Sequence, residues 1–294
     1  MRETVIRILN QGDKAALEAF LLPRVESSMF LISNLRASGL SDEGEIYQGT
    51  YAARFTDGRI SAVASHYWNK ILALQAPDEP APLCELAVRQ SRRELGGLVG
   101  PRDQVGVAKQ ALGIDDSNVQ MDETEKLYRL DLNSLVVPLA LASGRVNARR
   151  MGTDDVDLIA EWRVGYAIEA SNDKDTPELR ERWRGSSERA VNERRTWILE
   201  DEAKPVACSS FNAAIGEAVQ VGGVWTPPRF RSRGYARAVV AASLLDARAE
   251  GAKLGILFTG EHNITAQKAY EALGFRHIGD YRIMLLSSPF EKTG

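Results

Sequence analysis

Residues 229–237, RFRSRGYAR, hold four arginines and one glycine. Guanidinium groups recognise phosphate oxygens through paired N–H donors. A glycine among them lets a ligand approach the backbone and admits positive φ. The run lies between a strand-like segment and a helical pattern, so the first amides of the helix lack partners and its dipole favours an anion there. Gly234, with Arg231, Ser232 and Arg233 before it and Tyr235 and small Ala236 after it, therefore fits a diphosphate cradle. The same residues fit a solvated basic turn that caps a helix. A Walker-type loop would need Gly-Lys-Ser or Gly-Lys-Thr, and a dinucleotide fingerprint would need two closely spaced glycines; neither is present.

A second stretch, NITAQKAYEALGF, places Ala266, Ala269, Tyr270 and Leu273 on one helical face. The Tyr270 hydroxyl can reach beyond its apolar ring, which fits either a half-buried core tyrosine or a proton donor. Asn263 is placed to cap that helix. The acids nearest these stretches are Glu217 and Glu261, each also readable as a surface carboxylate. His66, His262 and His277 show no metal-ligand spacing and the cysteines are distant, so no metal is expected.

The elements that must hold these residues are legible around them. EAVQVGGVWT, 217–226, reads as a strand, with Gly222-Gly223 marking a bulge or a close backbone approach. Pro227 and Pro228 end it. From Tyr235, the residues Ala236, Val239, Val240, Leu244 and Ala247 form the stripe of an amphipathic helix that runs to the Gly251 region. TPELRERWRGSSERAVNERR, from Thr176, reads as a capped helix with a solvated face.

The chain also repeats itself. Asp13, Leu17 and Phe20 align with Asp155, Ile159 and Trp162, each set following a short strand. RFTDGRISAVAS aligns with LEDEAKPVACSS, each a hairpin, with Asp57-Gly58 a strong turn signal. ELGGLVGPRDQ aligns with KLGILFTGEHN, AKQALGI with AYEALGF, and YRLDLNS with YRIMLLS. These matches in one order predict two copies of one α/β unit, divided near Ser143-Gly144 into 1–144 and 145–294. The second copy is longer between its matched strands, and the arginine-rich stretch fills that difference. The first copy has LQAPDEPAPLCEL there, and Lys109 stands opposite Tyr270.

With 294 residues, 44% hydrophobic and 26% charged, the chain suits two globular domains. A net charge of -3 makes the arginines a local feature and argues against nucleic acid as a partner. Cys84 and Cys208 read as buried, inert thiols of a reducing compartment. LVVPLALA is far too short to span a membrane, and MRETVIRILNQGD lacks a signal-peptide core, so the expected location is cytoplasmic.

VWTPPRFRSRGYA resembles the Arg/Gln-x-x-Gly-x-Gly/Ala motif of the GNAT superfamily of acyl-CoA-dependent N-acyltransferases, matched at Arg231, Gly234 and Ala236. NITAQKAYEALGF resembles its second signature, and the pair covers most of 217–278. The tandem layout is similar to that of double-domain members, with 1–144 a degenerate, structural or substrate-shaping copy and 145–294 the catalytic one. The resemblance implies an α/β fold in which each copy is a twisted mixed sheet flanked by helices, and two central strands splay apart around acetyl-CoA. Main-chain groups of Val224, Trp225 and Thr226 would meet its pantetheine arm. The loop from Arg231 to Ala236 would hold its diphosphate, with Asn263 and Ala266 beside the cofactor.

The implied reaction moves an acetyl group to an amine by direct attack in a ternary complex. Tyr270 matches the general acid, while Glu217, Glu261 or a water relay would take the amine's proton. The acceptor would be a small-molecule or peptide amine, and Trp183 would lie on its side of the cleft. The protein would act as a monomer or homodimer, without membrane or nucleic acid. The reading from another class is a non-catalytic acyl-CoA-binding regulator.

Overall fold

The computed structural model describes residues 3–171 and 173–290, and the chain forms two compact units. One comprises Met1–Leu127 with Ile278–Gly294, the other Tyr128–His277. In chain order the first unit holds β1 (Thr4–Ile8), α1 (Lys14–Leu21), α2 (Val25–Ser38), β2 (Gly49–Thr56), β3 (Arg59–Tyr67), β4 (Ile71–Gln75), α3 (Ala81–Ser91), β5 (Leu95–Pro101) and α4 (Arg102–Leu112). Strand β6 (Val119–Asp131) then crosses into the second unit. There follow α5 (Leu139–Ala142), β7 (Val146–Arg150), α6 (Val156–Ser171), α7 (Pro177–Glu193), β8 (Thr196–Asp201), β9 (Lys204–Ala214), β10 (Ala218–Trp225), α8 (Tyr235–Ala249), β11 (Leu254–Gly260), α9 (Ile264–Glu271) and β12 (Arg276–Phe290).

Both units carry the expected mixed sheet. In the first the order is β1-β2-β3-β4-β5-β12, with β4 and β5 parallel and the other pairs antiparallel. In the second it is β7-β8-β9-β10-β11-β6, with β7 to β10 antiparallel and β10 parallel to β11. The alternation of strand residues sorts the faces, as a two-residue side-chain period requires. In β8, Trp197 and Leu199 enter the core that α8 closes with Val239, Val240 and Leu244, whereas Ile198 faces Ile159 and Trp162 of α6.

The sequence repeat is a repeat of structure. Asp13 and Asp155 occupy matched 3-10 turns before α1 and α6, where each carboxylate accepts a backbone N–H, from Asn10 at 2.9 Å and Gly152 at 2.8 Å. The aligned pairs Leu17/Ile159 and Phe20/Trp162 are buried in their respective units. Asp57 and Gly58 both have positive φ, 50° and 76°, as the expected hairpin turn requires. Their counterparts Glu202 and Ala203 hold the same conformation, at 51° and 59°, without a glycine.

The two compact units are not the two halves of the chain. The sequence marks a division near Ser143-Gly144, but the chain changes unit after Leu127 and again after His277. Strand β12, the last strand of the second copy, runs antiparallel to β5 with Tyr281 opposite Pro101 and Met284 opposite Leu98. Its approach leaves no room for a side chain at Gly97, where a Cβ would lie 2.4 Å from the Met284 carbonyl oxygen. The end of β6, last strand of the first copy, lies next to β11 in the second unit. Repeat spacing reports which strands are equivalent; it does not report which sheet each strand joins.

Candidate functional site

The cradle residues of the second unit converge at one end of its sheet. Strands β10 and β11 pair in parallel from Ala218/Leu254 to Val221/Leu257, and their pairing stops there although β10 continues to Trp225 and β11 to Gly260. The register of β10 against β9 also shifts between Gly222 and Trp225, the bulge expected from the two glycines. Gly223 takes φ 56°, and a Cβ at Gly222 would collide with the Asn212 amide at 2.1 Å. These local devices turn the Val224, Trp225 and Thr226 backbone away from β11. The Thr226 hydroxyl is buried without a hydrogen-bond partner among the described residues.

Past Pro227, a 3-10 turn over Pro228–Phe230 leads to Ser232 at φ 61° and to Gly234 at φ 79°, the N-cap of α8. Two successive left-handed excursions turn the chain sharply, and the second is natural only for glycine. The cap has no side-chain hydrogen bond, and the helix's first main-chain bond from this cap runs from Ala238 N–H to Gly234 at 3.1 Å. Among the described residues, the Gly234, Tyr235 and Ala236 amides have no main-chain partner. A Cβ at Gly234 would meet only the Arg237 guanidinium, at 3.4 Å. Donors, a helix N-terminus and a guanidinium here suit a diphosphate.

The arginines divide by role. Arg231 is committed within the fold: its Nε donates to the Thr226 carbonyl at 3.0 Å, its Nη2 pairs with Glu169 at 2.7 Å, and its guanidinium lies 4.9 Å from the Trp225 ring. Tyr235 turns its side chain into the core, where its hydroxyl donates to Asp201; this hydrogen bond, with burial, raises its pKa. Only its main chain is left to face an anion.

Helix α9 begins where the sequence places it. The Asn263 side chain accepts the Ala266 N–H at 3.1 Å, so both residues serve the cap. Tyr270 is half-buried against the core that α8 closes and meets Phe275 edge-on at 6.0 Å between ring centroids. Glu261 follows the end of β11, at the splayed end of the strand pair, with its carboxylate 3.5 Å from the exposed His262 ring. Glu217 stands at the other end: its carbonyl accepts the Lys253 and Leu254 amides at 2.9 and 3.2 Å, before β10 begins. The eight residues of β10 lie between it and Thr226, a span of up to roughly 30 Å.

Sequence reasoning missed one part of the site. A cavity of about 300 Å³ lies between α6, α7 and the face of β8, β9 and β10, and it reaches Gly223 and Trp225 of the bulge. Trp183 lines it, on the helix expected there. Arg163 and Trp162 of α6 also line it; their helical spacing in EWRV was visible, but their inward direction depended on the sheet beneath.

The matched region of the first unit is built differently. There the Arg54 guanidinium, nearly buried, donates to the carbonyls of Asp78 and Glu79 at 2.5 and 2.7 Å. The turn before α3 thus directs two carbonyls at a guanidinium of its own fold, and its cap is Pro80, which has no N–H. Strands β4 and β5 remain close, since a Cβ at Gly100 would lie 2.9 Å from the Leu74 carbonyl.

Both cysteines are buried and free, and burial pushes each thiol up to about 12. Among the described residues no helix is long and apolar enough to cross a membrane, and no group of His, Cys, Asp or Glu side chains is placed to hold a metal ion.

Residues 156–275 match the family model described as Acetyltransferase (GNAT) family. No curated protein matches the sequence significantly. Among solved structures, a Drosophila protein superposes with a TM-score of 0.66 at 13% identity, covering 97% of this chain and 99% of its own. A GCN5-related N-acetyltransferase from Sphaerobacter thermophilus gives 0.57 at 13% identity, covering 98% and 96%. A tandem GNAT protein from the clavulanic acid biosynthesis pathway gives 0.55 at 13% identity, covering 98% and 99%. Such identities establish fold rather than activity. The splayed strands, bulge and glycine-capped helix thus lie within the residues that match the acetyltransferase (GNAT) family model, in a chain whose fold is that of tandem GNAT-like proteins.

Proposed function

We propose that the second unit is an acetyl-CoA-dependent N-acetyltransferase and that the first supports it without transferring acetyl groups itself. The observation that carries this reading is the release of β10 from β11 after Val221, leading into a turn whose Gly234 to Ala236 amides have no main-chain partner. Those features fit the pantetheine and diphosphate of coenzyme A. In the first unit the equivalent strands stay together and the equivalent turn presents carbonyls to Arg54.

Bound acetyl-CoA would supply the acetyl group as a thioester, whose C–S bond breaks as the acceptor nitrogen forms the C–N bond. The Val224, Trp225 and Thr226 backbone would align that arm, while the 231–236 turn anchors its charged end. Arg233 and Arg237 supply positive charge there, and Arg231 must exchange Glu169 for phosphate if it is to join them. An amine with a pKa of about 10.4 is mostly protonated at neutral pH, so its proton must leave first. Glu261, at the splayed end, would take it directly or through a water, while Glu217 stands at the far end of β10. The Tyr270 hydroxyl holds the proton that the departing sulfur receives. Asn263 acts by holding the start of α9, which carries Tyr270.

Free thiol release from acetyl-CoA, with mass detection of the acetylated product across a panel of amines, tests this. Tyr270→Phe is expected to lower kcat by about 100-fold, the usual scale of one general acid, with acetyl-CoA affinity almost unchanged. Tight acetyl-CoA binding with no transfer to any amine would favour the regulator instead. No binding at all would remove both readings.

A further inference from the structure

The cavity beside the β10 bulge has an unusual balance of charge. Its walls are aromatic, with Trp162, Tyr166 and Trp183 from the helices and Trp225 from the strand. Set among them is Arg163, whose Nη1 donates to the hydroxyls of Ser186 and Ser187 at 3.1 and 3.3 Å. Among the described residues this guanidinium makes no ion pair. The Trp183 indole N–H is buried and has no acceptor among them. Arg195 lines the same space, and Glu193, an exposed residue, is the one carboxylate among the lining residues.

A half-buried guanidinium commonly keeps a carboxylate partner, because neutral hydroxyls replace only part of the hydration it loses. Burial lowers the pKa of Arg163 accordingly. Two kinds of donor, one charged and one an indole N–H, thus lie in one small cavity where neither donates to a carboxylate among the described residues, and the nearest opposing charge acting on Arg163 is that of Glu193. The open groove of the first unit makes no such demand. Its Arg282 is already clasped by both oxygens of Asp122, at 2.6 Å each, and its Arg102 pairs with Asp280 at 3.0 Å.

We infer that the cavity receives an acceptor amine that also carries a carboxylate and an apolar or aromatic body, with the carboxylate on Arg163 and the Trp183 N–H. This rests on the acetyltransferase reading of the second unit and adds the class of acceptor to it. The aromatic walls take the apolar body, and the bulge at Gly223 to Trp225 puts the amine beside the strand that would carry the acetyl group. A volume of about 300 Å³ suits one amino acid or one terminal residue. Polyamines and aminoglycosides, which are polycations, would meet the like charges of Arg163 and Arg195.

The test compares three probes of one shape by calorimetry, with the intact protein alone and with CoA: L-phenylalanine, 3-phenylpropionate, which has no amine, and 2-phenylethylamine, which has no carboxylate. The two carboxylates are expected to bind at least 10-fold more tightly than 2-phenylethylamine. Arg163→Gln should abolish that preference, Arg163→Lys should retain part of it, and Trp183→Phe, which keeps the ring and loses the N–H, should weaken both carboxylates several-fold. CoA affinity and melting temperature of each variant exclude misfolding as the cause. Equal or tighter binding of 2-phenylethylamine, no binding of either carboxylate at millimolar concentration, or unchanged carboxylate affinity in Arg163→Gln overturns the inference. If that occurs while CoA still binds and amines are still acetylated, the acceptor class alone is refuted; loss of CoA binding by the unaltered protein refutes the reading beneath it.

Discussion

Arg149 grips Asp155 through two parallel hydrogen bonds of 2.6 and 2.8 Å, and Arg7 grips Asp13 in the first unit through two of 2.7 Å. Each pair joins the first strand of its copy to the turn that starts the following helix, and each aspartate also accepts a backbone amide of that turn. Because the two clasps occupy matched positions, they are the most direct structural trace of the internal duplication.

The clasp gives a pH dependence of defined sign. The Arg149 guanidinium holds the Asp155 carboxyl below the usual carboxylate range, aided by the Gly152 amide. A carboxyl with a depressed folded pKa contributes stability that is complete above its unfolded value of about 3.9 and is lost as pH falls toward the folded value. Asp155→Asn is expected to cost about 1–2 kcal/mol at pH 7, since hydrogen bonds to charged groups are lost while the shape is kept. Urea unfolding of both proteins between pH 7 and pH 3 should show the difference shrinking below about pH 4. A difference that grew with acidity would exclude this account.

The hairpin joining β8 and β9 is strained. Ala203, exposed, holds φ 59° where the equivalent turn of the first unit has a glycine. A left-handed residue with a Cβ costs about 1–2 kcal/mol, part of which glycine's extra freedom in the unfolded chain cancels. Ala203→Gly should stabilise the protein by about 0.5–1 kcal/mol, which calorimetry would read as a rise in Tm.

The cradle depends on a positive φ. Gly234→Val places a β-branched side chain at φ 79° and beside the turn's amides. We expect acetyl-CoA affinity to fall at least 100-fold while the circular dichroism spectrum stays unchanged. Undiminished affinity by calorimetry would show that the diphosphate lies elsewhere.

The exchange of final strands forbids a clean cut at the repeat boundary. Residues 1–144 expressed alone would lack β12, leaving β5 with an open edge and the Met284 and Leu286 positions of its core unfilled. Each half is expected to aggregate or to expose apolar surface, detectable by light scattering and dye binding, and the halves should recover solubility when produced together. Soluble, cooperatively melting halves would contradict this. Gly97→Ala, pressing a methyl group on the Met284 carbonyl, should destabilise the intact protein by about 1–3 kcal/mol in urea.

Local chemistry set much of this protein in advance. The Asp57-Gly58 turn, the Gly222-Gly223 bulge, the Thr176 and Asn263 caps and the glycine at the head of α8 are each fixed by a few neighbouring residues, so the sequence alone shows them. The repeat likewise shows two copies, because equivalent burial preserves equivalent side chains such as Leu17 and Ile159. Long-range pairing decided the rest. Which sheet β12 completes, how far Glu217 stands from Thr226, and the opening of β10 from β11 beyond Val221 depend on contacts between distant segments. The cavity around Arg163 belongs to the same class: a guanidinium on a helix reads as solvated until another helix and a sheet take its water away.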